Sequence, residues 1–532
     1  MSNIKKLMMA SAGGPEGAWD LSYAYYDPPE GLTWNLSTAV YASKSLSVAA
    51  RETNPYGISF KPDGTKLYVL GTAGDDVNDY NLSTAWDVST ASYLQVFSIA
   101  AQETIPTGLF FKPDGLKMYV IGQSGTDVNE YDLSSAWNVS TASYLQNFSV
   151  SAQETQPYGI SFKSDGTKMY ILGTSGVDVN EYDLSSAWDV STASYLQNFS
   201  VSAQELNPLG LFFKPDGTKM YVSGAVGGDV NEYDLSTPWD VSSASYLQNF
   251  SVVAQDQNNP GLFFKPDGTA FYYVGNTNDT VYQYTLGGFS VAAQETSSTG
   301  IVFKPDGTKM YVTGTVGDDV NEYDLSTAWD LSSASYLQNF SVASQETAPR
   351  GMSFKPDGTK MYVVGSTADS VLEYDLSSAW DVSTASYLQG FSVSAQDTVP
   401  MGLFFRGDGL KMYVLGGTGL DVNEYDLSSA WNVSTASFVQ NFSISAQESS
   451  PQDLFFKSDG TKMYITGQSG DDVNEYNLST AWDVSTAVYS QAFSLLNQDI
   501  NPTGFFFKGD GTQMFVGFNS ELILSYTLGV QP

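Results

Sequence analysis

Four short apolar runs separated by polar turns make up residues 107–157, "TGLFFKPDGLKMYVIGQSGTDVNEYDLSSAWNVSTASYLQNFSVSAQETQP". Leu109, Phe110 and Phe111 put apolar groups on both faces of a first strand, and Met118, Tyr119, Val120 and Ile121 do the same in a second. "VNEYDL" reads as a third strand. In a fourth, Phe148, Val150 and Ala152 alternate with Asn147, Ser149 and Ser151. Strands apolar on both faces are buried on both, whereas alternation marks a half-exposed strand. A sheet with sandwiched inner strands and a last strand that meets water is a propeller blade. Pro and Asp-Gly in "KPDG" turn the chain between the first two strands, by fixed φ and by tolerance of positive φ.

The unit repeats. Its Asp-Gly pair recurs at Asp63, Asp114, Asp165, Asp216, Asp267, Asp306, Asp357, Asp408, Asp459 and Asp510, 51 residues apart except for one step of 39. The short step lacks the loop "STAWDVSTASYLQN" and carries Gly287-Gly288 instead. The expected fold is therefore all-β: a β-propeller of ten four-stranded blades. Residues 35–53 match the loop plus fourth strand, and the last repeat stops after its third strand, near residue 528. In a closed ring the N-terminal strand, residues 46–53, completes the last blade and leaves no unpaired edge. One closed ring of ten is the leading expectation, with Leu286-Gly287-Gly288-Phe289 as a tight hairpin inside one blade. Two tandem five-bladed propellers are the alternative, because "YTLG" ends both halves, at 284–287 and 526–529. In that case the two glycines link the rings. The domain reading is a tail over 1–30 and a propeller over 31–532, with repeats one to five over about 54–288 and six to ten over about 289–528.

"FKPDGTKMYV" resembles the Asp-Gly hairpin of TolB-like bacterial propellers, and "YDLSTAWDVSTASY" resembles the tandem propeller repeats of bacterial and phage proteins. The resemblance covers residues 35–528 and implies the fold; such propellers host many functions. The leader "MSNIKKLMMASAGG" ahead of a repeat resembles virion proteins of marine tailed phages.

Charge narrows the partners. With 23 basic and 58 acidic residues the net charge is −35, which repels phosphate backbones and argues against nucleic acid. No apolar stretch is long enough to span a membrane, so membrane insertion is not expected. The chain has no Cys and no His, so disulfides and the commonest general base and metal ligand are absent.

Candidate chemistry must be sought in the loops. Eight tryptophans recur in "STAWDVS"-like sequence: Trp86, Trp137, Trp188, Trp239, Trp329, Trp380, Trp431 and Trp482. They are either platforms for a sugar or partner surface, or staples folded under their own loops. Trp19 and Trp34 read as lying outside this series. Lysines such as Lys61, Lys66, Lys112 and Lys117 share one face with the tryptophans. The other face carries Asp75, Asp76, Glu103, Asp127 and Glu154, read as solvated acidic loops. Ca2+ is a candidate ligand for them, although "GDDVNEYD" lacks the spacing of a calcium loop. No other cofactor is indicated. Carboxylates copied ten times make no unique active site, so a site should appear as a break in the repeat. The breaks are Arg350, Arg406, "QNNPG" at 257–261 and "PQD" at 451–453.

These features predict a non-enzymatic structural or attachment protein: a phage virion component of decoration, knob or fibre type. Its partners would be other virion proteins or host surface molecules. The alternative is a carbohydrate-binding propeller at a bacterial surface or in the periplasm, and a propeller hydrolase comes third. The leader, which holds two lysines and a short apolar patch, reads as a docking tail.

Overall fold

Ten antiparallel sheets carry the chain, one per repeat. The structure, a computed structural model, describes residues 18–27, 29, 32–496 and 498–529. Helical structure among the described residues is limited to 3-10 turns. The second sheet is representative. Its strands are Pro106–Phe111, Lys117–Gly122, Asp127–Leu133 and Ala142–Ser149, in that order from the inside. The second and third strands are buried almost throughout and the fourth alternates between half-buried and exposed, as the polarity gradient predicts.

The turn Lys112–Gly115 shows why its residues are fixed. Asp114 Oδ1 accepts from Leu116 N at 3.0 Å, and its other oxygen pairs with Lys112 Nζ at 2.7 Å. Gly115 has φ 72°, and a Cβ there would lie 2.3 Å from the Trp137 ring. Glycine is required twice over, by conformation and by space.

The ten sheets fall into two sets of five. Residues 33–287 form one compact unit, and the described residues up to 32 together with those from 288 onward form the other. In the first, here the inserted unit, each inner strand lies against the next, and the fifth returns to the first. At that return a Cβ on Gly261 would come within 2.7 Å of the Tyr56 carbonyl, and Tyr272 Oη donates to Trp86 O at 2.7 Å. In the second, here the split unit, the tenth sheet returns to the sixth, where Gly504 would press on Gly300 Cα at 2.7 Å. The two-ring alternative describes this packing; a single ring of ten, and a single propeller over 31–532, do not.

Both sets take their last outer strand from the N-terminal region. Val40–Ser47 pairs with Thr280–Thr285 and completes the fifth sheet. Ala24–Tyr26 and Phe289–Ser290 both pair with Leu522–Leu528 and together complete the tenth. The inserted unit therefore interrupts the outer strand of the split unit's last sheet. Residues 46–53 do not close the last blade, because the strand there, Val40–Ser47, is paired with Thr280–Thr285 of the fifth sheet. Nor is 286–289 a hairpin. The outer edge of Thr280–Thr285 is occupied by a segment that brings a full loop, and that loop puts Trp34 over Gly268 as each repeat requires. Gly287 has φ 101°, and a Cβ on Gly288 would lie 2.8 Å from Leu524. The glycines mark the passage from one unit to the other. Of the proposed tail over 1–30, residues 18–27 belong to the repeat, while residues 1–14 lie outside the described residues.

Candidate functional site: an aromatic funnel with one carboxylate

Each loop tryptophan is a staple between neighbouring sheets. Trp137 adopts φ 62°, its N–H donates to Gly115 O at 3.0 Å, and its carbonyl accepts from Tyr68 Oη of the preceding sheet at 2.6 Å. Its ring packs between Phe111 at 5.4 Å and Tyr68 at 6.3 Å. Trp86, Trp188, Trp239, Trp329, Trp380, Trp431 and Trp482 repeat this arrangement with positive φ and the same N–H bond. Trp19 and Trp34 belong to the series after all. Trp34 N donates to Gly268 O and Trp19 N to Gly511 O, both at 3.0 Å, supplying the loops that sheets five and ten lack. The matching text, Trp-Asn-Leu-Ser at 34–37 and Trp-Asp-Leu-Ser at 19–22, was the available signal.

The acidic loops are solvated only in part. Glu103 and Glu154 are fully buried. Glu103 Oε1 accepts from Ile105 N at 2.7 Å and Ser124 N at 3.1 Å, and Oε2 from Gly125 N at 3.1 Å, so one carboxylate ties two loops together. Asp127, whose burial raises its pKa, accepts from the amides of Asn129 at 2.7 Å and Asn147 at 2.5 Å, which fill the positions a cation would need. Asp75 and Asp76 are half-buried, and Asp76, pushed up to about 6 by burial and by Glu52, accepts from Asn78 at 2.6 Å. Among the described residues, no group of three or more Asp or Glu side chains converges as a metal site. The lysines are committed too. Lys61 and Lys112 pair with Asp63 and Asp114 in their turns, at 2.6 and 2.7 Å. Lys66 pairs with Asp79, and Lys117 with both Glu130 and Asp132, at 2.5 and 2.8 Å. Glu130 also accepts from Val190 N in the next sheet at 3.1 Å.

What remains is a cavity of about 340 Å³ in the split unit. Its mouth is formed by the turns at Pro305, Pro356, Gly407, Ser458 and Gly509, and the edges of Trp19, Trp329, Trp380, Trp431 and Trp482 line it. Its wall is a half-buried layer of Val302, Ser353, Phe404, Phe455 and Phe506. The three phenylalanines pack edge to face, at 5.2 Å and 5.3 Å between successive rings. Val302 and Ser353 are the smaller side chains of this layer. The five remaining loop tryptophans, Trp34, Trp86, Trp137, Trp188 and Trp239, staple the inserted unit and do not line this cavity.

Among the described residues of the lining, Asp453 is the one that is ionisable. The inner-strand position it occupies is glycine in the nine other sheets, at Gly57, Gly108, Gly159, Gly210, Gly261, Gly300, Gly351, Gly402 and Gly504. Oδ1 accepts from Leu454 N at 2.8 Å and Oδ2 from Phe505 N at 3.2 Å. Only 8% of the residue is exposed, and burial pushes its pKa up to about 8 against those two bonds. Of the other breaks in the repeat, Arg406 is held by Asp408 at 2.8 Å in a mouth turn. Arg350 has a buried Nε with no hydrogen-bond partner and lies outside the lining. Asn259, from "QNNPG", is buried in the inserted unit and donates to Asp229 O at 3.3 Å.

No protein-family model matches the chain, and no curated protein matches it. Solved structures do. A functionally unknown protein from Desulfotomaculum acetoxidans is 11% identical, with a TM-score of 0.27, over 72% of this chain and 96% of its own. A Lactobacillus plantarum protein is 13% identical with the same TM-score, over 69% and 92%. A Bacteroides fragilis protein provisionally named a 6-phosphogluconolactonase is 11% identical at 0.27, over 72% and 92%. At these scores the likenesses carry no argument about activity.

Proposed function

We propose that this protein is a non-catalytic attachment protein that engages its partner through the aromatic funnel of the split unit. The observation that carries this reading is the funnel itself: a cavity at the small end of the roughly 300–1,000 Å³ typical of small-molecule sites, walled by aromatic rings. The buried loop carboxylates are engaged in bonds that hold loops and sheets together, and the lining offers Asp453 no second ionisable group with which to share acid–base work. The setting we propose is a phage virion, with a bacterial surface or the periplasm as the alternative; it rests on the resemblance of the opening residues.

Titration with benzyl alcohol, followed by tryptophan fluorescence, tests the funnel. A saturable change is expected in the wild type and is lost in Ser353→Trp, which replaces a small side chain of the wall with a large one, with the melting temperature retained. Absence of saturation in the wild type overturns the reading. A fixed number of copies per purified particle would support the virion setting, and release on washing would refute it.

A further inference from the structure

The funnel's one carboxylate sets its ligand class. We propose that the funnel of the split unit binds an organic ammonium, its charged end on Asp453 and its hydrocarbon part among Phe404, Phe455 and Phe506. This rests on the funnel being a binding site.

Three observations converge on Asp453. It replaces a glycine that every other sheet keeps, so the fold does not need a side chain there. Its carboxylate lies between two inner strands: Oδ1 is where a Cβ on Gly402 would press, at 2.7 Å, and Oδ2 meets Phe505 N. Its two N–H donors each satisfy one oxygen, and no cation is paired with it among the described residues. A carboxylate in an apolar site is costly to ionise unless a positive charge joins it. The phenylalanine rings that share the lining with it are a surface an alkylated ammonium prefers, because the ring quadrupole attracts cations that are weakly hydrated. A hydrated inorganic cation would find no further oxygen ligands in the lining, so an organic cation is the better match.

The surroundings allow Asp453 to titrate alone. Of the strands packed against it, Pro400–Phe405 and Pro502–Phe507 carry no ionisable side chain. Lys462–Gly467 carries Lys462, which pairs with Glu475 at 2.5 Å, and Tyr464, whose hydroxyl donates to Trp19 O at 2.6 Å. Across the ring of inner strands, Arg350 on Pro349–Phe354 makes no ion pair with it. Binding of a permanent cation requires the ionised form, so protons compete with the ligand.

The test uses the full chain, benzyltrimethylammonium as the probe and benzyl alcohol as the neutral control, with calorimetry in buffers of different ionisation heat. At about pH 9, above the Asp453 value of about 8, the cation should bind at least about tenfold more tightly to the wild type than to Asp453→Gly. Asp453→Asn, which keeps the side chain's size, should show the same loss. Affinity should fall about tenfold for each pH unit below that value, with proton release on binding. Benzyl alcohol should bind all three proteins alike. If benzyl alcohol binds but the cation gains nothing from Asp453, the ligand class is wrong and the funnel reading stands. If neither probe binds the wild type, both readings fail.

Discussion

At the residue scale, one substitution in a repeat has a measurable pH signature. Asp453 is an ordinary carboxylate in the unfolded chain and is pushed up to about 8 in the folded one. The protonated form is thus favoured by folding. Its contribution is complete below the unfolded value and is lost as pH rises towards 8. Asp453→Gly should be marginally less stable than the wild type near pH 4, by the roughly 0.5–1 kcal/mol of a glycine's extra chain freedom. Above about pH 8 it should be the more stable protein, by on the order of 5 kcal/mol, because the wild type must then ionise a carboxyl that burial keeps protonated. Thermal melts of both proteins across this range check it; parallel curves would refute it. Replacing a staple should cost more uniformly. Trp137→Ala removes a ring buried between two sheets and should lower stability by about 3–5 kcal/mol at any pH, read from urea melts. At this scale "PQD" was visible as a break in the repeat, and the tryptophan loops were readable as staples. The burial of Glu103 was not, because a polar letter in a loop looks the same whether it faces water or three backbone N–H groups.

At the element scale, strand type and order followed from polarity, and pairing partners did not. The run at 280–285 predicts a strand, and Gly-Gly after it predicts a tight turn. Local turn chemistry lost to a longer-range requirement, that Gly268 be covered by a tryptophan loop, which residues 33–39 supply. Deleting residues 33–47 should therefore uncover both Gly268 and the edge of Thr280–Thr285. The inserted unit should then lose protection across its fifth sheet in hydrogen exchange, while Lys309–Gly314 and the other second strands of the split unit keep theirs. Equal loss in both units would contradict the assignment of Val40–Ser47.

At the scale of the whole molecule, ten repeats serve two separate cores. The blade count was legible because the repeat is nearly uniform; the partition was hidden because the same uniformity lets any outer strand fit any sheet. The partition predicts that residues 33–287 fold when expressed alone, and that residues 18–32 joined directly to 288–532 do so as well. Each should melt cooperatively, at a temperature matching one of two transitions in the full chain. A fragment without near-native circular dichroism would argue that the units depend on each other.

The split outer strand also sets an order of assembly on the ribosome. Everything the inserted unit needs has been made once residue 287 has emerged. The segment Ala24–Tyr26, by contrast, is among the first described parts of the chain to be made and must wait for Leu522–Leu528. Thr527 Oγ1 reaches Asp27 across 500 residues of sequence. At roughly 5–20 residues per second, that wait is about 25–100 s. During it the inserted unit has time to close, so that the last partners to meet are Ala24–Tyr26 and Leu522–Leu528.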